Sequence, residues 1–310
     1  MPLPPLLRDR LSLPLIGSPM FIISQPDLVI AQCRSGIVGA FPSLNARPSG
    51  MFERWLQQLG EALTEQDAPF AVNLIVHRTN TRLEEDLELC VRYRVPIVIT
   101  SLGAREDVNQ AIHSYGGIVL HDVINNMFAR KAVEKGADGL IAVAAGAGGH
   151  AGTLSPFALV QEIRQWFDGP LALSGAIATG RAIAAARMMG ADLGYMGTPF
   201  IATQEANAEA AYKQMIVDGS AADIVYSDVF TGVLGNYLRP SIVAAGLDPD
   251  ALPKAKDMDF ASLTGGEKKA WRDVWGAGQG IGAIAKVQPA ADFIAGLKAQ
   301  YRAAVEGFTA

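Results

Sequence analysis

The chain has 310 residues, half of them hydrophobic and only 18% charged, so it can bury a large core and is not a disordered segment. Its 26 basic and 31 acidic residues give a formal net charge of -5 with no basic block, which argues against a nucleic-acid surface. The two cysteines, Cys33 and Cys90, are too few for a disulfide framework and too far apart for a CxxC site; as reduced thiols they fit a cytoplasmic protein.

A mean hydropathy of +0.20 raises the question of a membrane. The longest uncharged stretch, residues 139–160, is broken by glycines from Gly146 onward, by His150 and by Pro156, so it reads as strand, loop and helix. The proline-rich opening MPLPPLLRDRLSLPLIG lacks the apolar core and cleavage site of a signal peptide. No membrane association is expected.

Along the chain, short apolar runs alternate with longer amphipathic segments. The runs are residues 13–21, 36–41, 70–75, 96–102, 117–123, 139–145, 170–177 and 193–201, which makes eight candidate strands. Helical spacing marks residues 51–66, 81–93, 125–135, 155–167, 181–189 and 205–217. Several runs are apolar on both faces, as strands of a parallel sheet covered by helices are. An open doubly wound sheet would want a phosphate loop after the first strand, and Gly17-Ser18-Pro19-Met20 is not a GxGxxG turn. The expected fold is therefore an α/β protein, a (β/α)8 TIM barrel over residues 1–219. Beyond it the alternation stops. Residues 220–283 hold Pro240, Pro249 and Pro253, the charged run 254–259 and the glycine-rich pieces 264–266 and 276–282, and read as a small, mainly helical lid domain. Residues 284–310, helical in spacing over 290–305, are expected to return to the barrel wall.

Two glycine turns carry the first site signal. The seventh strand ends in Ser174-Gly175-Ala176-Ile177, with Thr179-Gly180-Arg181 opening a helix, and the eighth ends in Met196-Gly197-Thr198-Pro199. Barrels commonly bind phosphate with these loops and a helix N-terminus, where glycine admits close backbone N–H approach. Singly, each is only a tight turn; the pair at these strands points to phosphate. The second signal is His150 in Ala144-Ala145-Gly146-Ala147-Gly148-Gly149-His150-Ala151-Gly152-Thr153, at the mouth after the sixth strand. A lone histidine is usually a loop-tying residue; here the glycines should leave the imidazole little covered. Titrating near neutrality, it could serve as general base on a weak carbon acid. His77, His113 and His121 read as structural, with only His121-Asp122 given a route to the mouth, and no spacing suggests a metal. The GxGxxA match at 278–283 follows a helical segment rather than a strand, so it is no dinucleotide fingerprint. It reads as a lid turn, with Gln279 a candidate polar contact.

In these motifs the chain resembles the nitronate monooxygenase family, the 2-nitropropane dioxygenase-like flavoproteins. The specific pieces are GAGGHAGT around His150, LSGAIATG at 173–180 and GADLGYMGTPF at 190–200, with Pro19-Met20 and Phe70-Ala71-Val72-Asn73 also matching. The resemblance implies an FMN-binding barrel with a lid, oxidising alkyl nitronates, and neutral nitroalkanes if accepted, with dioxygen to a carbonyl compound and nitrite. It implies His150 as catalytic base, and Met20 and Asn73 beside the flavin ring. Ser174, Gly175, Ala176, Met196, Gly197 and Thr198 would hold the FMN phosphate, and Gly148 and Gly149 would let backbone pass close to the ring. Some members carry a cofactor-contacting lysine where this chain has Asp122, and a polar residue where it has Val143. The same fold serves NAD(P)H:quinone reductases and an FMN-dependent enoyl-ACP reductase, so the alternative is an NAD(P)H-dependent reductase of quinones or enoyl thioesters. A flavin-free barrel for a phosphorylated ligand is a third reading. The expected partners are a small molecule and dioxygen; a homo-oligomer is left open.

Overall fold

The structure, a computed structural model, describes residues 3–252 and 274–309. Eight parallel strands appear at β1 (Leu15–Gly17), β2 (Gly39–Pro42), β3 (Phe70–Ile75), β4 (Ile97–Ser101), β5 (Ile118–Val123), β6 (Gly139–Val143), β8 (Leu171–Ser174) and β9 (Leu193–Met196), β7 being the short piece Gly149–His150. They form one sheet in the order β1-β9-β8-β6-β5-β4-β3-β2. Its ends meet: Ile16 bridges Val38, and Gly17 N donates to Val38 O at 2.7 Å. The sheet is thereby a (β/α)8 barrel, and each expected strand lies within its apolar run, apart from Pro42, one residue past the second.

Helices connect the strands on the outside. They are α2 (Pro26–Arg34), α3 (Met51–Ala62), α4 (Leu83–Arg92), α5 (Glu106–His113), α6 (Asn126–Glu134), α7 (Pro156–Arg164) and α8 (Gly180–Met188), with α9 (Thr198–Ile201) and α10 (Ala210–Asp218) after the last strand. Two start with a side-chain cap of the kind expected from Asn and Thr: Asn125 accepts from Phe128 N, and Thr179 from Ala182 N. The barrel interior is one apolar cluster made of alternate strand residues, among them Ile16, Val38, Ala40, Ala71, Ile97, Ile99, Leu120, Ile141, Ala172, Leu193 and Tyr195. The leucines of the N-terminal segment, Leu3, Leu6, Leu7 and Leu11, around the short helix α1 (Pro5–Arg8), join that cluster and plug one end. The intervening strand residues, such as Val72, Val98, Val119, Leu140 and Leu173, pack with the helices instead. Burial on both faces accounts for the unbroken apolar runs.

After α10 the chain forms β10 (Ile224–Ser227) and β11 (Gly235–Leu238), then α11 (Arg239–Ala244). With β7 these strands make a three-stranded antiparallel sheet in the order β10-β11-β7. A mainly helical segment is the expectation here; its described part also carries sheet, because β11 pairs locally with β10 and, on its other edge, with the loop after β6. The charged run 254–259 and the glycines at 264–266 lie outside the described residues. The last helix, α12 (Ala290–Thr309), lies against α8: Gly180 N donates to Gln300 Oε1 at 2.9 Å and Arg187 Nη1 to the Tyr301 hydroxyl at 2.7 Å. A Cβ at Gly180 would overlap Leu297 O and Tyr301 N. Gly180 is therefore a helix-packing glycine, and Gly180→Ala should destabilise the fold by about 1–3 kcal/mol through overpacking, without lowering ligand content. Urea unfolding of the two proteins side by side checks this.

Candidate active site

Period-two alternation carries from the interior cluster to the C-terminal ends of the strands. Two residues beyond Ile16, Ala40, Ala71, Ile99, Leu120, Ile141, Ala172 and Tyr195 stand Ser18, Pro42, Asn73, Ser101, Asp122, Val143, Ser174 and Gly197. All eight line one cavity of about 1010 Å³ at this end of the barrel. That volume reaches the top of the usual range for ligand sites, roughly 300–1,000 Å³, and leaves room for a cofactor and a small substrate together.

The floor is polar on one side. Asn73 Nδ2 donates to Ile99 O at 3.0 Å and to Ser101 Oγ at 2.8 Å, and Ser101 Oγ donates to Asp122 Oδ2 at 2.6 Å. Burial pushes the Asp122 carboxyl up to about 6, against the lowering effect of the Ser101 hydrogen bond. Across the floor, burial first and the Asp122 charge second raise the Tyr195 hydroxyl, which also hydrogen-bonds Ser18.

His150 reaches the cavity from β7, where it pairs with Gly235 and Gly149 pairs with Asn236. Gly149 has φ +67° and Gly146 φ +85°, the left-handed region that favours glycine. At Gly148 the reason is space, since a Cβ would stand 2.8 Å from Gly278 N. The imidazole is half-buried, more covered than the glycine setting suggests, and its Nε2 lies 2.9 Å from Thr231 Oγ1. Burial lowers His150 from 6.5 to about 4, so it is a neutral imidazole at pH 7 rather than a group titrating near neutrality.

The glycine turns open onto the same cavity. Gly175 (φ +139°) and Ala176 (φ +54°) bend the chain after β8. At Gly197 a side chain would crowd Ser18 Oγ at 3.1 Å and Met20 Sδ at 3.4 Å. Thr198 Oγ1 accepts from Gly278 N at 2.8 Å, which keeps its own proton available for donation. This backbone-rich wall, with side chains excluded at two points, fits the phosphate end of a cofactor. The helix N-terminus expected beside it does not contribute in the same way: Gly180 N is bonded to Gln300 and Ala182 N to Thr179, and residues 179–181 lie outside the cavity lining.

Of the residues expected at the site, Met20, Asn73, Asp122, Gly148, Gly149, His150, Ser174, Gly175, Ala176, Gly197 and Thr198 all border the cavity. Met196 does not: one residue out of phase with Gly197, its side chain is buried in the helix-side core. Gln279 packs against Gly146 and donates its N–H to Gly146 O, while its neighbours Gly278 and Gly280 form the lining. His121 borders the cavity with Nδ1 2.6 Å from Thr100 Oγ1, and His77, expected to have no route to the mouth, borders it too. His113 pairs with Asp138 on the helix layer. Among the described residues no His, Cys, Asp and Glu cluster could hold a metal, and no helix is long and apolar enough to cross a membrane. Ser18, Ser101, Tyr195 and Thr231 were missed; counting by twos from the interior apolar residues would have found the first three.

The depressed His150 pKa makes protonation compete with folding. Its contribution to stability is complete above pH 6.5 and is lost as pH falls toward 4. A histidine-selective NMR titration should place His150 near 4, and His150→Gln should lessen the fall in unfolding free energy over that window. An inflection near 6.5 would contradict the desolvation argued above.

Comparison with known proteins now bears on this site. The family model described as nitronate monooxygenase matches residues 51–300. A nitronate monooxygenase of Paraburkholderia phytofirmans is 25% identical, over 94% of this chain and 93% of its own length. One from Pseudomonas aeruginosa is 27% identical, over 93% and 96%. Among solved structures, nitroalkane oxidase from Streptomyces ansochromogenes superposes with a TM-score of 0.82 at 23% identity, covering 98% and 99% of the two chains. FabK from Thermotoga maritima gives 0.79 at 24%, covering 98% and 96%. These structural likenesses establish the shared fold.

Proposed function

Since this chain belongs to the nitronate monooxygenase family, and is thus an enzyme of the flavin-dependent oxidoreductase type, we propose that it oxidises alkyl nitronates with dioxygen, using non-covalent FMN. The observation that carries the reading is the neutral imidazole of His150, held in the glycine-rich loop and bordering the same cavity as the two glycine turns. When bound, FMN supplies a two-electron acceptor that dioxygen can reoxidise. The turns at 174–176 and 197–198 would hold its phosphate, Met196 contributing through backbone alone. Met20, Asn73, Asp122, Gly148 and Gly149 would border its ring.

The chain's own groups then divide the work. His150, unprotonated at pH 7, can take the α-proton of a neutral nitroalkane; with a pre-formed nitronate it orients and stabilises the anion. Ile124, Phe128 and Leu234 line the cavity yet are 41%, 43% and 44% exposed, an apolar rim suited to an alkyl chain. The stretch 220–283, whose β11 pairs with β7, is read as the lid over this mouth.

A second reading, an NAD(P)H-dependent reductase, draws on the comparable structural likeness to FabK. Anaerobic reduction separates the two. The purified protein should be yellow, and an alkyl nitronate should bleach it where NAD(P)H does not. The reverse pattern would favour the reductase, and a colourless protein releasing no flavin on denaturation would favour the phosphate-ligand barrel. For His150→Ala we expect retained flavin and a loss of about 10²–10⁴-fold on neutral nitroalkanes, the usual share of a general base, with a smaller loss on pre-formed nitronate. Equal losses on both forms would assign His150 to orientation rather than proton removal.

A further inference from the structure

The loop after β1, residues 18–24, forms one wall of the cavity: Ser18, Pro19, Met20, Phe21 and Ile23 all line it. Ile22, in their midst, does not, and its φ is +69°. For a β-branched residue this left-handed region is strained, because Cβ crowds the following carbonyl oxygen. Such a conformation persists only where its surroundings over-determine it. Strand pairing does little of this on the side of β2, since β1 and β2 meet at a single bridge, Ile16 with Val38.

Side chains do it instead. Asn45, in the short turn Ser43–Asn45 after β2, accepts from Ile22 N at 2.8 Å through Oδ1. Its Nδ2 donates to Met20 O at 3.0 Å and to Ser24 O at 2.8 Å. A backbone N–H can only donate and a carbonyl can only accept, so the orientation of the Asn45 amide is fixed from both ends. One side chain thus grips the loop before, at and after the strained residue. From the opposite side Asn207, between α9 and α10, donates its backbone N–H to Ile23 O at 3.0 Å and Nδ2 to Ile22 O at 3.1 Å. Asn45 does not border the cavity itself. What it holds in place does: Ser18 Oγ and Met20 Sδ are the atoms that a Cβ on Gly197 would meet, at 3.1 and 3.4 Å, so they stand directly against the glycine turn after β9.

We propose that Asn45 is a positioning residue: by holding Ile22 in its strained turn it sets Ser18 and Met20 against the Gly197 turn and so shapes the cofactor end of the cavity. The inference rests on the FMN reading for its effect on cofactor release. The position of Met20 can be read without it.

The test follows two signals in full-length protein. One is the first-order release of FMN from the holoenzyme, seen as rising flavin fluorescence. The other is the Met20 methyl resonance in protein labelled with ¹³C-methyl-methionine, assigned by its loss in Met20→Leu. Asn45→Ala should release FMN about 10-fold faster and shift the Met20 methyl, since the strain at Ile22 has then lost its main restraint. Adding Ile22→Gly to Asn45→Ala should return both signals toward wild type, because glycine takes positive φ without strain and needs no clamp. A general loss of stability would not give this pattern: Gly180→Ala, destabilised in the helix layer, should release FMN at the wild-type rate. Unchanged release and an unmoved Met20 methyl in Asn45→Ala would overturn the proposal, and so would a double variant that keeps the defect. Should Asn45→Ala fail to fold, the double variant decides alone: wild-type release and Met20 position support the proposal, and anything else overturns it. A colourless protein whose Met20 methyl still moved with Asn45→Ala and returned with Ile22→Gly would remove the FMN reading and leave the positioning role standing.

Discussion

Closure of a parallel sheet on itself leaves each strand residue only two directions, toward the axis or toward the helices, and a shift of one residue exchanges them. Everything at the mouth of this barrel follows from that constraint. Ile16, Ile99, Leu120, Ile141 and Ala172 point inward with the rest of the interior cluster, so Ser18, Ser101, Asp122, Val143 and Ser174 two positions later become the cavity floor. The same rule separates neighbours of similar appearance in sequence. Gly197 borders the cavity and Met196 is core, although both stand in one four-residue turn motif. It also explains the Asp122 carboxyl: a polar residue at the last inward position is shielded by barrel walls, and desolvation raises its pKa until only Ser101 offsets it.

The second organising contact is the short antiparallel pairing of Gly149–His150 with Gly235–Asn236. The barrel loop supplies an edge and the distal segment supplies the strand that covers it. Asn236 Nδ2 reinforces the junction by donating to Ala147 O at 2.6 Å, and the Tyr226 hydroxyl donates to Ala151 O at 2.8 Å. Three consecutive parts of the loop are thus tied to one hairpin. A histidine held this way is desolvated and oriented at once, at the cost of a low pKa.

Most of the barrel was legible because burial on both strand faces leaves an uninterrupted apolar run, although the last run, 193–201, continues past β9 into the buried helix α9. The glycine-rich loop was legible for a different reason: left-handed φ at Gly146 and Gly149 and the tight fit at Gly148 demand that residue type. The antiparallel sheet was not legible. β11 contains Gly235 and Asn236, poor strand formers locally, and β7 is two residues long, so neither shows a periodic pattern. Thr231 was hidden for the same reason, since its partner lies 81 residues away and nothing nearby marks it. Gly180 was legible as a glycine that matters but misread in purpose, because the helix that requires it arrives only at the end of the chain.

The protonation states of the cavity bear on the direction of chemistry it favours. With Asp122 at about 6 and His150 at about 4, both groups are deprotonated at pH 7 and both are proton acceptors. The Tyr195 hydroxyl, raised well above its usual value, holds its proton firmly and is a weak donor. Asp122 and His150 are thus equipped to take a proton from a bound carbon acid, while the Lys131 and Arg47 side chains border the same cavity. The barrel alone is neutral between oxidation and reduction, and it is the buried carboxyl and imidazole at its mouth that a proton-removing step would use.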